Sequence, residues 1–168
     1  MTVNTDRAPA TPHGQLLPMP ARLSVTPADR HPGPLDGAWW PRSRDLPTEL
    51  LALTATLDHL WGRITRVTVN PRFWPTVPRK VPVAGHLVHV GWFDEQDAHD
   101  LLLLSYTVGR WDLLVVPPET DPAAAARLMA AAADPRNTST ASALMADEAA
   151  GDPQTGSPTA LPRSAARA

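Results

Sequence analysis

Cysteine is absent from this chain of 168 residues. That excludes disulfides, thiol nucleophiles and cysteine-ligated zinc, and it fits a reducing, cytoplasmic setting. Lysine is almost absent too: Lys80 stands alone and every other basic residue is arginine. Long apolar runs are missing; the leucines at 101–104 are far short of the ~20 residues that span a bilayer. The N-terminal stretch lacks a basic segment followed by an apolar one, so no secretory leader and no membrane association are expected. A formal charge of -2 supplies no field to draw in nucleic acid or an anionic surface. Nucleophile elbows, glycine-rich phosphate loops and the His-Glu-x-x-His zinc pattern are all missing, so neither a cofactor nor a metal is expected.

Tyrosine and phenylalanine are scarce, with one and two residues, whereas tryptophan occurs six times. The aromatic surface is therefore mostly indole, which couples a large apolar body to one N–H that needs a partner when buried. The prolines at 9, 12, 18 and 20 and the scarcity of apolar partners predict a disordered tail over 1–20. The composition after 134 predicts a second such tail over 135–168, with one weak helix around 142–149. Residues 21–134 are left as a single α+β domain.

Within it, 22–26 and 37–40 read as short strands separated by a proline- and glycine-rich loop. Asp45 and Pro47 open a helix whose apolar face is Leu46, Leu50, Leu53, Leu57 and Leu60, stopped by Gly62. Residues 64–70 alternate as a half-buried strand, with Val67 and Val69 on one side and Arg66 and Thr68 on the other. Residues 71–82 read as an irregular proline loop and 83–93 as one long strand. Two apolar runs flank Gly109 as a central hairpin in which Leu102, Leu104, Leu113 and Val115 are expected to be buried. Asp121 and Pro122 then open an alanine-rich helix that ends near 133. The expected architecture is a mainly antiparallel sheet of about five or six strands, with two helices on one face.

The stretch 22–133 resembles a family of uncharacterised actinobacterial proteins. The resemblance rests on Leu35-Asp36-Gly37-Ala38-Trp39-Trp40-Pro41-Arg42-Ser43, on Gly91-Trp92-Phe93, and on Trp111-Asp112-Leu113-Leu114-Val115-Val116-Pro117-Pro118. It implies a small cytosolic domain and carries no activity.

Two tryptophan-bearing stretches adjoin arginines. Trp39, Trp40, Arg42 and Arg44 form one, and Arg72 and Trp74 the other; Arg66 lies on the polar side of its strand. Indoles beside arginine forks suit a cleft for a small anionic or aromatic ligand, or for a protein partner. They suit a packed core with an arginine rim equally. Trp39 and Trp40, adjacent in a strand, must face opposite sides of the sheet. Asp112 falls on an apolar strand face, where an unpaired carboxylate is costly, so an ion pair with Arg66 or Arg110 is expected. The favoured function is a non-enzymatic binding or interaction domain. The alternatives are a small enzyme drawing on Asp36, Asp112, Arg66 and His86, and single-strand nucleic-acid binding by stacking on exposed tryptophans.

Overall fold

A computed structural model describes residues 19–27, 33–106 and 109–151. The expectations for residues 1–18 and 152–168, and for most of the loop before Gly33, lie outside the described residues. The elements are β1 (Leu23–Val25), β2 (Gly37–Trp39), α1 (Leu46–Trp61), β3 (Ile64–Val69), β4 (Lys80–Val83), β5 (His86–Trp92), β6 (Asp100–Ser105), β7 (Arg110–Val115), α2 (Pro122–Ala132) and α3 (Ala141–Gly151).

The strands form one sheet in the order β1-β2-β7-β6-β3-β5-β4. The α+β class and the mainly antiparallel sheet stand, with seven strands in place of five or six. The additional strand is β4. Residues 83–93 are not one strand, because Gly85 takes a positive φ of 86° and turns the chain into a β4–β5 hairpin. Pro82 is tolerated there because β4 is a sheet edge. The proline segment thus carries the chain outward to that edge, and β5 returns parallel to β3. The second parallel pair is β2–β7.

Helices α1 and α2 lie on opposite faces of the sheet, with α3 beside α2, which corrects the expected packing of the two main helices on one face. The alternation in β2 decides this: Trp39 enters a core with α1, whereas Ala38 enters a second core with α2 and α3. Leu46, Leu50, Leu53 and Leu57 are fully buried beneath α1, but Leu60 is exposed; Trp61 closes the helix by stacking on Trp111 at 4.6 Å. In the central hairpin the antiparallel register places Leu101 opposite Leu113 and Leu102 opposite Asp112. Leu101 and Leu103 are therefore the core residues beside Leu113 and Val115, and Leu102 and Leu104 lie only partly buried on the other face.

Ala141–Gly151 is a helix, at the place where one weak helix was expected within the tail; Leu144 packs against α2, and Arg127 pairs with Glu148. Its apolar contribution is small, since only Ala141 and Leu144 are buried. Polar contacts hold it as well: Ser142 donates to Asp97, and Glu148 pairs with Arg127.

Candidate functional site

The Asp-Gly-Ala-Trp-Trp-Pro-Arg-Ser stretch holds the fold together residue by residue. Trp39 is 1% exposed and Trp74 2%, and their rings stack at 5.7 Å inside the α1 core. The loop carrying Trp74 folds over Trp39, so these two indoles do not form a surface wall. Trp40 does face the opposite side. Its Nε1–H donates to the Pro117 carbonyl at 3.1 Å, and the Arg22 guanidinium lies 3.6 Å over its ring. Arg22 also donates to the carbonyls of Trp40 and Pro41. The backbone N–H of Arg42 and the hydroxyl of Ser43 both donate to Glu49 in α1.

The arginines do not converge on these rings. Arg42 donates to the Pro20 carbonyl. Arg44 stacks over Phe73, donates to its carbonyl, and pairs with Glu119 at 2.6 Å. Arg72 is exposed, and among the described residues only its backbone N–H is engaged, by Asn70. Arg66 lies elsewhere, on the sheet face opposite α1.

Asp112 is paired with Arg110, at 3.1 and 3.2 Å, and not with Arg66. The register explains the choice: Arg110 and Asp112 are two apart on one strand face, with the partly buried Leu104 and Leu102 opposite them. Arg110 is well exposed, so the pair is screened by water. Arg110→Ala should therefore lower stability by less than about 1 kcal/mol, as measured by urea denaturation. A loss above about 2 kcal/mol would mean that the pair is buried in solution.

Asp112 belongs to a larger group that the sequence reading did not assemble. Its backbone N–H donates to Asp36 at 2.9 Å, and a cavity of about 420 Å³ brings Asp112 together with Asp97, Asp100 and Arg110. Gly33, Pro34 and Leu35 wall this cavity on one side and Thr140 and Ala141 on another. Asp100 Oδ1 is buried and accepts no hydrogen bond among the described residues. Burial, then the charges of Asp112 and Asp97, push its carboxyl up to about 7. Burial also raises Asp36. Burial acts to raise Asp97 as well, but hydrogen bonds from Ser142 and from the His99 N–H outweigh it and hold Asp97 low.

Of the four residues considered for an enzyme, only Asp36 and Asp112 meet. His86 Nε2 lies 2.7 Å from the Ile64 carbonyl, with Asp58 at 3.8 Å from Nδ1. Among the described residues no group of three or more His, Asp or Glu side chains is placed to hold a metal, and no helix is long and apolar enough to cross a membrane.

A second concave feature lies at the far end of the sheet. Helices α2 and α3 cover only the β1-β2-β7 half of the face opposite α1. On the bare half, the register sets Arg66 beside His89 and His89 beside Lys80. The β4–β5 pairing ends at Lys80–His89, with one further bond from the Val90 N–H to the Arg79 carbonyl. Arg66, Arg79, Lys80, His89, Trp92 and Phe93 there line a groove of about 440 Å³. The Arg79 guanidinium lies 5.9 Å from the Trp92 ring centroid; Trp92 is 43% exposed and Phe93 65%. Among the described residues no carboxylate lines the groove, and Arg66, Arg79 and Lys80 form no ion pair. The signal in the sequence was present but diluted: Gly91-Trp92-Phe93 read as strand end, and Arg79-Lys80 as part of a proline loop.

The chain belongs to a family of unknown function, DUF5994, whose model matches residues 22–132. No curated protein and no solved structure matches it.

Proposed function

We propose that this member of a family without an assigned activity is a non-enzymatic binding domain, and that its ligand is a small anion carrying a flat ring. The site is the groove of Arg66, Arg79, Lys80, His89, Trp92 and Phe93. One observation carries the reading: three permanent cations share a concave surface with no carboxylate to neutralise them, beside an indole left open. Like charges gathered in this way raise each other's energy, and an anion relieves the repulsion. Guanidinium forks suit carboxylate and phosphate oxygens, and the indole offers a ring a stacking surface. The volume suits a small molecule. The overall charge gives a long polyanion no added attraction. Of the basic residues that the sequence offers beside its tryptophans, this reading uses Arg66, Arg79 and Lys80, with Trp92 and Phe93 as its rings in place of Trp39, Trp40 and Trp74. A cysteine-free chain supports a cytoplasmic setting for it.

The enzyme alternative has less behind it, because Arg66 and His86 stand apart from the carboxylate cavity. The binding reading is tested by thermal denaturation with phenyl phosphate and benzoate, using inorganic phosphate as the ringless control. A ligand at about 100 times its Kd adds about 2.7 kcal/mol and raises Tm by several degrees. The aryl anions should give this rise more strongly than inorganic phosphate. The double variant Arg66→Gln/Arg79→Gln should keep the unliganded Tm and lose the rise. A rise that survives in the double variant, or no rise with either aryl anion, would overturn the reading.

A further inference from the structure

We propose that the carboxylate cavity at the opposite end of the sheet is a proton-controlled latch: α3 is docked while Asp100 holds its proton and undocks when Asp100 ionises. The geometry couples the two directly. Asp97 holds the first turn of α3, accepting from the Ser142 backbone N–H at 2.8 Å and from its hydroxyl at 2.6 Å. Thr140 and Ala141, at the start of the same helix, form one wall of the cavity that contains Asp100. Asp100 thus lies behind the helix terminus, with a buried oxygen that no donor reaches among the described residues.

The charges around it set the sign. Asp112 and Arg110 face it from β7, Asp97 and His99 stand in the turn before β6, and Asp36 approaches from the segment leading into β2. Neither α3 nor the Gly33–Leu35 wall contributes a charged group to the cavity lining. The cluster therefore sets up to four negative charges against the guanidinium of Arg110, already engaged by Asp112. A proton on Asp100 removes one of them. Its loss leaves a negative charge with one buried, unpartnered oxygen next to the carboxylate that holds the helix. Undocking α3 opens the Thr140–Ala141 wall and hydrates the charge. The resistance is small, since Ala141 and Leu144 are the only buried residues of the helix.

The pH window follows from the raised carboxyl. The folded chain keeps the Asp100 proton up to about 7, whereas the unfolded chain releases it near 3.8. The contribution of Asp100 to the docked state is complete below 3.8 and is lost as pH rises towards 7, whereas that of Asp97, held low, is present throughout this range. Asp36, also raised, holds the Asp112 N–H and has no part in holding α3.

Hydrogen–deuterium exchange of the full chain at pH 5.5 and pH 8, corrected for intrinsic exchange, tests this. In the wild-type protein the 141–151 amides should lose about tenfold or more of their protection between the two conditions, while β6 and β7 stay protected. Asp100→Asn should remain equally protected at both. His99 is intact in that variant, so a pH response that persists there belongs elsewhere and overturns the proposal. Wild-type protection of 141–151 that does not change between the two conditions overturns it as well, whether or not the variant folds.

Discussion

Trp39→Ala should cost the fold about 3–5 kcal/mol, the range for truncating a buried aromatic side chain and leaving part of its volume empty. Trp39 is 1% exposed, stacks on Trp74, and lies in one core with Leu50, Leu113 and Val115. Its loss removes transfer energy and also the ring over which the Phe73–Trp74 loop folds. Equilibrium urea denaturation measures the effect as a lower midpoint at an unchanged slope. Trp92→Ala supplies the contrast. Its indole is 43% exposed, and its removal should change stability by no more than about 1 kcal/mol. If Trp39→Ala cost less than about 1 kcal/mol, Trp39 would lie on a surface and the aromatic-wall reading would return.

Gly37→Ala should be similarly damaging, by roughly 2–5 kcal/mol, for a reason that lies in the backbone. Gly37 has a φ of 153°, and a Cβ placed on it would come 2.1 Å from the Ser24 carbonyl oxygen and 2.8 Å from the Val25 Cα. Both obstructing atoms are main chain of β1, paired with β2 through Ser24–Ala38 and Val25–Gly37. No side chain can swing away, so the strands must separate. That would loosen Leu23 from the core and Arg22 from the Trp40 ring. Gly85→Ala is the control: its φ of 86° is strained for alanine, but a Cβ there meets nothing within 4 Å. It should cost about 1–2 kcal/mol. Equal losses at the two positions in urea denaturation would contradict a close contact between β1 and β2.

The local patterns carried much of this fold. Leucine spacing located α1, and Asp121-Pro122 located α2, whose first N–H groups the Asp121 carboxylate accepts from. Alternation set Trp39 and Trp40 on opposite sides. What escaped is set by pairing across distance. Nothing within 101–116 fixes which leucines face inward; the register with β7 does. Pro82 read as a breaker because its place on an edge strand is a property of the sheet. Helix α3 lacks an apolar face of its own and depends on Asp97, 45 residues before Ser142. The same limit applies to the sites. The most conspicuous residues, Trp39, Trp40 and Trp74, are occupied in holding the fold. The groove gathers Arg66, Arg79, His89 and Trp92 from two strands and a loop, and none of these stands out alone. In sequence Asp100 reads as part of a solvated acidic turn, because the cavity around it is walled by α3 and the Gly33–Leu35 segment, neither of which adjoins it in the chain.

The groove is the centre of this account, and the six indole N–H resonances test it directly. In a ¹H–¹⁵N spectrum of the full chain titrated with phenyl phosphate, the Trp92 resonance should move progressively to saturation. Those of Trp39 and Trp74, enclosed under α1, should stay where they are, as should those of Trp40, Trp61 and Trp111, which lie outside the groove. The Trp92 shift should disappear in Arg66→Gln/Arg79→Gln. A titration in which Trp92 stays fixed while another indole moves, or in which none moves, would contradict the assignment of this groove as the binding site.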